Sequence, residues 1–232
     1  MLLRSARSIK LFLLWTGHVP IRKAMNQSAE QLGVVGGTFN PIHNGHLITA
    51  RAAKEALGLD RLLLMPNTRS PLRMSEPLAD AAERLEMVRL AVKDEPGLEV
   101  CDLEVRREGT SFLVETLRLL QEMHPDTPLT FLMGVDSLET FDRWKEVERI
   151  VEMVRVAVMP RPGSDARSAL KALEERTPAL TGKILLLKQG PQIEISATDI
   201  RKRIKAGKSV SYLVPDAVDA YLKQSDVFKG SL

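Results

Sequence analysis

His43 and His46 stand three residues apart behind the run Gly36-Gly37-Thr38-Phe39-Asn40-Pro41-Ile42, which itself follows a short apolar segment, Gln31 to Val35. A glycine pair permits a tight turn and a close backbone approach. From Pro41 an amphipathic pattern predicts a helix through Leu57, with both histidines on one face near its start. Strand, turn and helix N-terminus together suit an anion, and two imidazoles beside free N–H groups suit a phosphate. Other uses of this spacing fail on missing residues. There is no G-x-G-x-x-G with an acid further on, and no lysine of a Walker loop. As zinc ligands the pair lacks a third partner and the H-E-x-x-H pattern, so no protein-held metal is expected.

A second group with chemical potential is Ile195-Ser196-Ala197-Thr198-Asp199-Ile200-Arg201. Ser196 followed by Asp199 reads as a capping box opening a helix. A capping box does not call for Arg201 in the second turn beside two hydroxyls, and this combination predicts another anion site. Between the two groups, Gly134-Val135-Asp136-Ser137 follows an apolar segment, with Trp144 two helical turns on. Asp136 could accept from a ribose hydroxyl; Trp144 is either a core aromatic or a flat face for a base or pyridine ring. The proline- and serine-rich loop from Pro66 to Pro77 carries Arg69 and Arg73, as a binding loop or a solvated one.

The elements that must hold these residues follow from periodicity. Strands are predicted at Gln31 to Val35, Arg61 to Met65, Leu98 to Leu103, Leu129 to Met133, Val154 to Met159 and Ile184 to Leu187. Helices are predicted at His46 to Leu57, Ala79 to Lys93, Ser111 to Met123, Asp136 to Trp144, Ala166 to Glu175, Ser196 to Lys205 and Pro215 to Gln224. This alternation predicts an α/β fold, one parallel sheet with helices on both faces. Ligands of such sheets bind beyond the carboxyl ends of the strands, where each of the groups above is found.

Composition removes several classes of function. The net charge of +3 rests on Arg4, Arg7, Lys10, Arg22 and Lys23; removing these five of the 33 basic residues leaves 28 against 30 acidic ones. The body of the chain is therefore no platform for nucleic acid. Cys101 is the only cysteine, which excludes an internal disulfide, reads as core, and fits a reducing, cytoplasmic setting. Residues 1–28 are basic and hold the apolar cluster Leu11 to Trp15, far short of the about 20 residues that span a bilayer. No small-residue cleavage site follows it. They are expected to be a dispensable extension, with a functional start near Met25 and a single domain over 29–232.

With these motifs in view, the chain resembles bacterial nicotinate-nucleotide adenylyltransferases, of the HxGH nucleotidyltransferase superfamily. The resemblance is carried by Gly36 to His46, Gly134-Val135-Asp136 with Trp144, Arg161-Pro162-Gly163, Ile195 to Arg201 and Tyr212-Leu213-Val214-Pro215. It implies a Rossmann-like nucleotidyltransferase fold. The implied activity joins ATP to nicotinate mononucleotide, giving deamido-NAD and pyrophosphate, with Mg²⁺ carried by the nucleotide. His43, His46 and Arg201 would be catalytic. Gly36, Gly37, Thr38, Phe39, Gly134, Asp136, Ser196 and Thr198 would bind ATP with them. Asn40, Arg73, Thr116, Trp144 and Arg161 would serve the mononucleotide. Three positions depart from the family: Asn40 where many members have Asp, Ser70-Pro71-Leu72-Arg73 in place of Pro-Pro-His-Lys, and Phe112-Leu113 in place of a Tyr-Thr pair. The competing readings are a preference for nicotinamide mononucleotide and a regulatory domain that binds nucleotide without turnover. Oligomeric state is left open.

Overall fold

The computed structural model describes residues 30–68, 78–107, 109–188 and 190–229. The extension over residues 1–28 and the loop arginines Arg69 and Arg73 lie outside them.

Six strands form one parallel sheet: β1 (Leu32–Gly37), β2 (Arg61–Pro66), β3 (Leu98–Val100), β4 (Leu129–Gly134), β5 (Arg155–Met159) and β6 (Ile184–Leu186), in the order β3-β2-β1-β4-β5-β6. The helices are α1 (Asn44–Leu57), α2 (Ala81–Val92), α3 (Leu103–Arg106), α4 (Leu113–Met123), α5 (Val135–Leu138), α6 (Val147–Met153), α7 (Ala166–Arg176), α8 (Ala197–Lys205) and α9 (Asp216–Gln224). Strand side chains alternate between two cores. Leu32, Val34, Leu63 and Met65 point to one, filled by Val114 and Leu117 of α4, Ile150 of α6 and Leu173 of α7. Leu62 and Leu64 point to the other, with Met87 and Val88 of α2, Ile200 of α8 and Val218 of α9. Helices therefore cover both faces, as a fully buried parallel sheet requires. The strand order reverses between β1 and β4, and the crevice opens beyond Gly37 and Gly134 at their ends.

Two predicted elements depart most from expectation. The third strand stops at Val100 instead of Leu103. Cys101 still donates to the Leu64 carbonyl, but the next rung of a parallel ladder would need the N–H of residue 66, and Pro66 has none. The chain turns into α3, leaving Cys101 packed against a core and its thiol pushed up by burial. The helix expected over Asp136 to Trp144 breaks after Leu138 into a 3₁₀ turn at Phe141–Arg143. Arg176 takes the Glu139 carbonyl at 3.0 Å and the Asp142 carboxylate at 2.9 Å, so a tertiary contact replaces the helical one. The break lets Phe141 enter the core with Trp144 edge-on against it, ring centroids 5.3 Å apart. A further helix, α6, follows from Val147, beyond what periodicity predicted.

Among the described residues no helix is long and apolar enough to cross a membrane.

Candidate active site

The two histidines cap α1 and each other. His43 is the N-cap: its Nδ1 accepts from the His46 N–H at 3.3 Å, and His46 Nδ1 accepts from the His43 N–H at 3.2 Å. This reciprocal box, usually built from Ser and Glu, is made here by two imidazoles. Its consequence is chemical. With both Nδ1 atoms accepting, each neutral ring carries its proton on Nε2, and that nitrogen is left to the cleft. The rings stack with centroids 3.6 Å apart, and burial, together with the Arg161 charge, lowers the His43 pKa to about 4. His46 is held well below the usual range by burial, then by His43 and Arg161. Two neutral N–H donors face the same space. Gly45 lies close between them: a Cβ there would stand 3.1 Å from His43 Nδ1, tight enough to press on the imidazole.

The helix N-terminus itself plays a smaller part than the sequence predicted. The Asn44 N–H donates to the Leu213 carbonyl at 2.9 Å and its side chain to the Tyr212 carbonyl at 2.7 Å. The turn Tyr212 to Pro215 thus consumes one of the N–H donors at the start of α1. Gly37 lies under the Phe39 ring, which a Cβ would meet at 2.9 Å, and that ring stands edge-on to His46 at 5.1 Å.

Across the crevice, Ser196 caps α8 through the Asp199 N–H at 3.4 Å. Arg201 reaches back to the Asn40 carbonyl at 2.8 Å and to the Thr198 hydroxyl at 3.2 Å, tying α8 to the β1 loop. Asn40 is buried and accepts from the Ala79 N–H at 3.1 Å, so its amide fixes the turn. Asp136 and Arg161 form an exposed ion pair, of the kind a ligand displaces at little cost.

These residues meet in a cavity of about 900 Å³. Gly36, Gly37, Thr38, Phe39, Asn40, His43, His46, Gly134, Asp136, Trp144, Arg161, Ser196, Thr198 and Arg201 all line it. Thr116 does not. It is fully buried behind the wall, its hydroxyl donating to Glu104 at 2.8 Å. Trp144 packs on Phe131 and Phe141 as a core aromatic and also lines the cavity.

Sequence reasoning passed over two residues. Arg84, 1% exposed, donates to the carbonyls of Ala79, Thr38 and Thr68 at 3.0, 2.8 and 3.0 Å, joining both loops at the crevice. Glu104, 5% exposed, lines the cavity beside Ser111. Arg84 falls inside the helix predicted over Ala79 to Lys93 and Glu104 just past the strand predicted to end at Leu103, and no local signal distinguishes them. Among the described residues no group of three His, Cys, Asp or Glu is placed to hold a metal ion. The imidazole and guanidinium groups of the wall suit an anion instead.

Sheet order, crevice and paired imidazoles together define a Rossmann-like nucleotidyltransferase, and residues 34–203 match the Cytidylyltransferase-like family. A probable nicotinate-nucleotide adenylyltransferase of Roseiflexus sp. (strain RS-1) is 40% identical over 202 residues, covering 87% of this chain and 100% of the relative. Another from Symbiobacterium thermophilum is 37% identical over 198 residues, 85% of this chain and 95% of the relative. The chain belongs to the nicotinate-nucleotide adenylyltransferase family. Its fold is shared by the Plasmodium falciparum nicotinic acid mononucleotide adenylyltransferase complexed with NaAD, with a TM-score of 0.69, 17% identity, and coverage of 86% of this chain and 97% of that one. A putative nicotinate-nucleotide adenylyltransferase from Vibrio parahaemolyticus gives a TM-score of 0.61 at 21% identity, covering 88% and 98%.

Proposed function

We propose that this chain transfers the adenylyl group of ATP to nicotinate mononucleotide, producing deamido-NAD and pyrophosphate in the synthesis of NAD. The observation that carries the reading is the pair of neutral, tautomer-fixed imidazoles facing the crevice at the end of β1. A phosphate oxygen of the mononucleotide attacks the α-phosphorus of ATP, and the bond to the β-phosphate oxygen breaks with its electron pair leaving on pyrophosphate. No protein nucleophile is needed. What the site supplies is alignment of two anions and donors for the charge that builds on the pentacoordinate phosphorus.

In this reading His43 and His46 donate through Nε2 to the phosphates, and Ser196, Thr198 and Arg201 hold the triphosphate. Gly134 and Asp136 take the adenosine. Trp144 stacks on the pyridine ring, with Asn40, Arg73 and Arg161 on the mononucleotide side. Thr116 acts from behind the wall. Mg²⁺ comes with ATP, neutralising its phosphates, and draws on no protein ligand set. We place the enzyme in the cytoplasm with no nucleic-acid partner, and treat residues 1–28 as dispensable. A chain beginning at Met25 should fold and keep its activity; insolubility of that chain alone would make the extension structural.

The test is pyrophosphate release from ATP with each mononucleotide in turn. Turnover with a higher kcat/KM for nicotinate mononucleotide is expected. An equal or higher value for the nicotinamide form would change the acceptor, and no turnover with either would leave only a nucleotide-binding domain.

A further inference from the structure

Glu104 is a buried carboxyl group that adenylyl transfer does not use. It sits in α3 and reaches the cavity wall beside Ser111, Phe112 and Leu113. Its Oε1 accepts from the Thr116 hydroxyl at 2.8 Å, the Ser111 hydroxyl lies close by, and its backbone carbonyl accepts from the Thr68 hydroxyl. The neighbouring guanidinium of Arg107 is engaged by Glu115 at 3.0 Å instead. Burial pushes the Glu104 carboxyl above the usual range, with the two hydroxyls and the Arg107 charge opposing. An apolar residue would fill this space without that desolvation, so the carboxyl has to be explained by what it holds.

What it holds is the start of α4. The N-cap of this helix is Phe112, whose side chain makes no capping bond; its carbonyl accepts from the Glu115 and Thr116 N–H groups at 3.1 and 3.2 Å, with the Thr116 hydroxyl 3.3 Å away. From α3, Glu104 adds a tertiary bond to Thr116 in the first turn, with the Ser111 hydroxyl, just before the cap, close by. The first N–H groups of any helix lack partners within it, and here that end stands on the cavity wall with Trp144.

We propose that Glu104 is a positioning residue for the acceptor: through Thr116 it sets the first turn of α4 at the wall where the mononucleotide docks. The inference rests on the reading that this end of the crevice takes the mononucleotide. Glu104 touches no reacting atom, so its loss should appear in acceptor binding and not in the handling of ATP.

Glu104→Ala should raise KM for the mononucleotide about tenfold, the scale of a lost buried hydrogen bond, and leave KM for ATP within about twofold. Glu104→Gln keeps a carbonyl oxygen to accept from the Thr116 hydroxyl, so it should restore most of the loss. Thr116→Val removes the hydroxyl with little change of shape and should shift the mononucleotide KM in the same direction, which keeps the test open if Glu104→Ala fails to fold. A parallel rise in both KM values, a Gln variant no better than Ala, or an unchanged mononucleotide KM in folded variants would overturn the positioning role. An inactive wild type sinks the functional reading and this inference together. An active wild type with any of those three variant results sinks this inference alone.

Discussion

At the phosphate end of the crevice the working side chains come from two short runs, Gly36 to His46 and Ser196 to Arg201, and most of the bonds that orient them lie within a turn of chain. His43 and His46 cap each other, Ser196 caps its own helix, and Arg201 bonds Thr198 three residues away. At the end where we place the acceptor, Glu104, Phe112, Trp144 and Arg161 come from separate segments, and the bonds of Glu104 to Thr116 and of Arg161 to Asp136 cross between segments. A locally determined site tolerates drift elsewhere in the chain and remains readable as a motif. An assembled one depends on packing and leaves little trace in any window of sequence.

The comparison is tested most severely at the local end. His46→Ala removes a donor to phosphate and an acceptor of the cap together, and kcat should fall about 10² to 10³-fold, the usual cost of one preorganised donor. KM for the mononucleotide should change much less. His43→Ala should act in the same direction. Near-normal kcat in both variants, measured by pyrophosphate release, would strip the imidazoles of their role and leave the phosphate end with no special chemistry.

The same division explains what could be read in advance. The six strands and the sheet with two helical layers follow from apolar alternation, and the histidine pair and α8 from spacing alone. What escaped was tertiary. Pro66 ends β3 from the neighbouring strand, and Arg176 breaks the helix before Trp144 from more than thirty residues away. The Asn44 N–H, one of the donors at the start of α1, is taken by a turn near residue 213. The burial of Arg84 and Glu104 is decided by loops and helices elsewhere in the chain. Thr116 looked like a ligand contact because the hydroxyl was visible and its buried partner was not.

A second, smaller effect should appear in stability. His43 is neutral in the folded protein down to about pH 4, whereas in the unfolded chain it takes a proton near 6.5. Between those values the unfolded state binds more protons, so stability present above pH 6.5 is lost as pH falls toward 4. His43→Asn keeps a good N-cap acceptor and removes this titration. Denaturant unfolding at pH 7 and pH 5 should show a loss about 2 kcal/mol smaller in the variant than in the wild type. An equal loss in both would mean that the buried imidazole is not what makes the phosphate end acid-sensitive.

The smallest expected change is the sharpest probe of the assembled end. Trp144 offers a ring face, and stacking does not distinguish a pyridine carboxylate from the amide of the same shape. Trp144→Ala should therefore raise KM about tenfold for nicotinate and nicotinamide mononucleotides alike, leaving the ratio of their kcat/KM values within about twofold of wild type. Choice between the two acceptors needs donors aimed at both carboxylate oxygens, since the amide would set N–H against N–H. Phe112 and Leu113 supply no hydroxyl, and the Thr116 hydroxyl is taken by Glu104. The remaining donors on this wall are the backbone N–H groups at the start of α4; the Lys145 ammonium, 4.7 Å from the Phe112 ring centroid, is paired with Glu115 at 2.6 Å. Selectivity for nicotinate would then reside in backbone placed by packing, and replacing the aromatic face should not touch it. A ratio that collapses in Trp144→Ala would instead place the choice in the ring contact and make the acceptor end as local as the phosphate end.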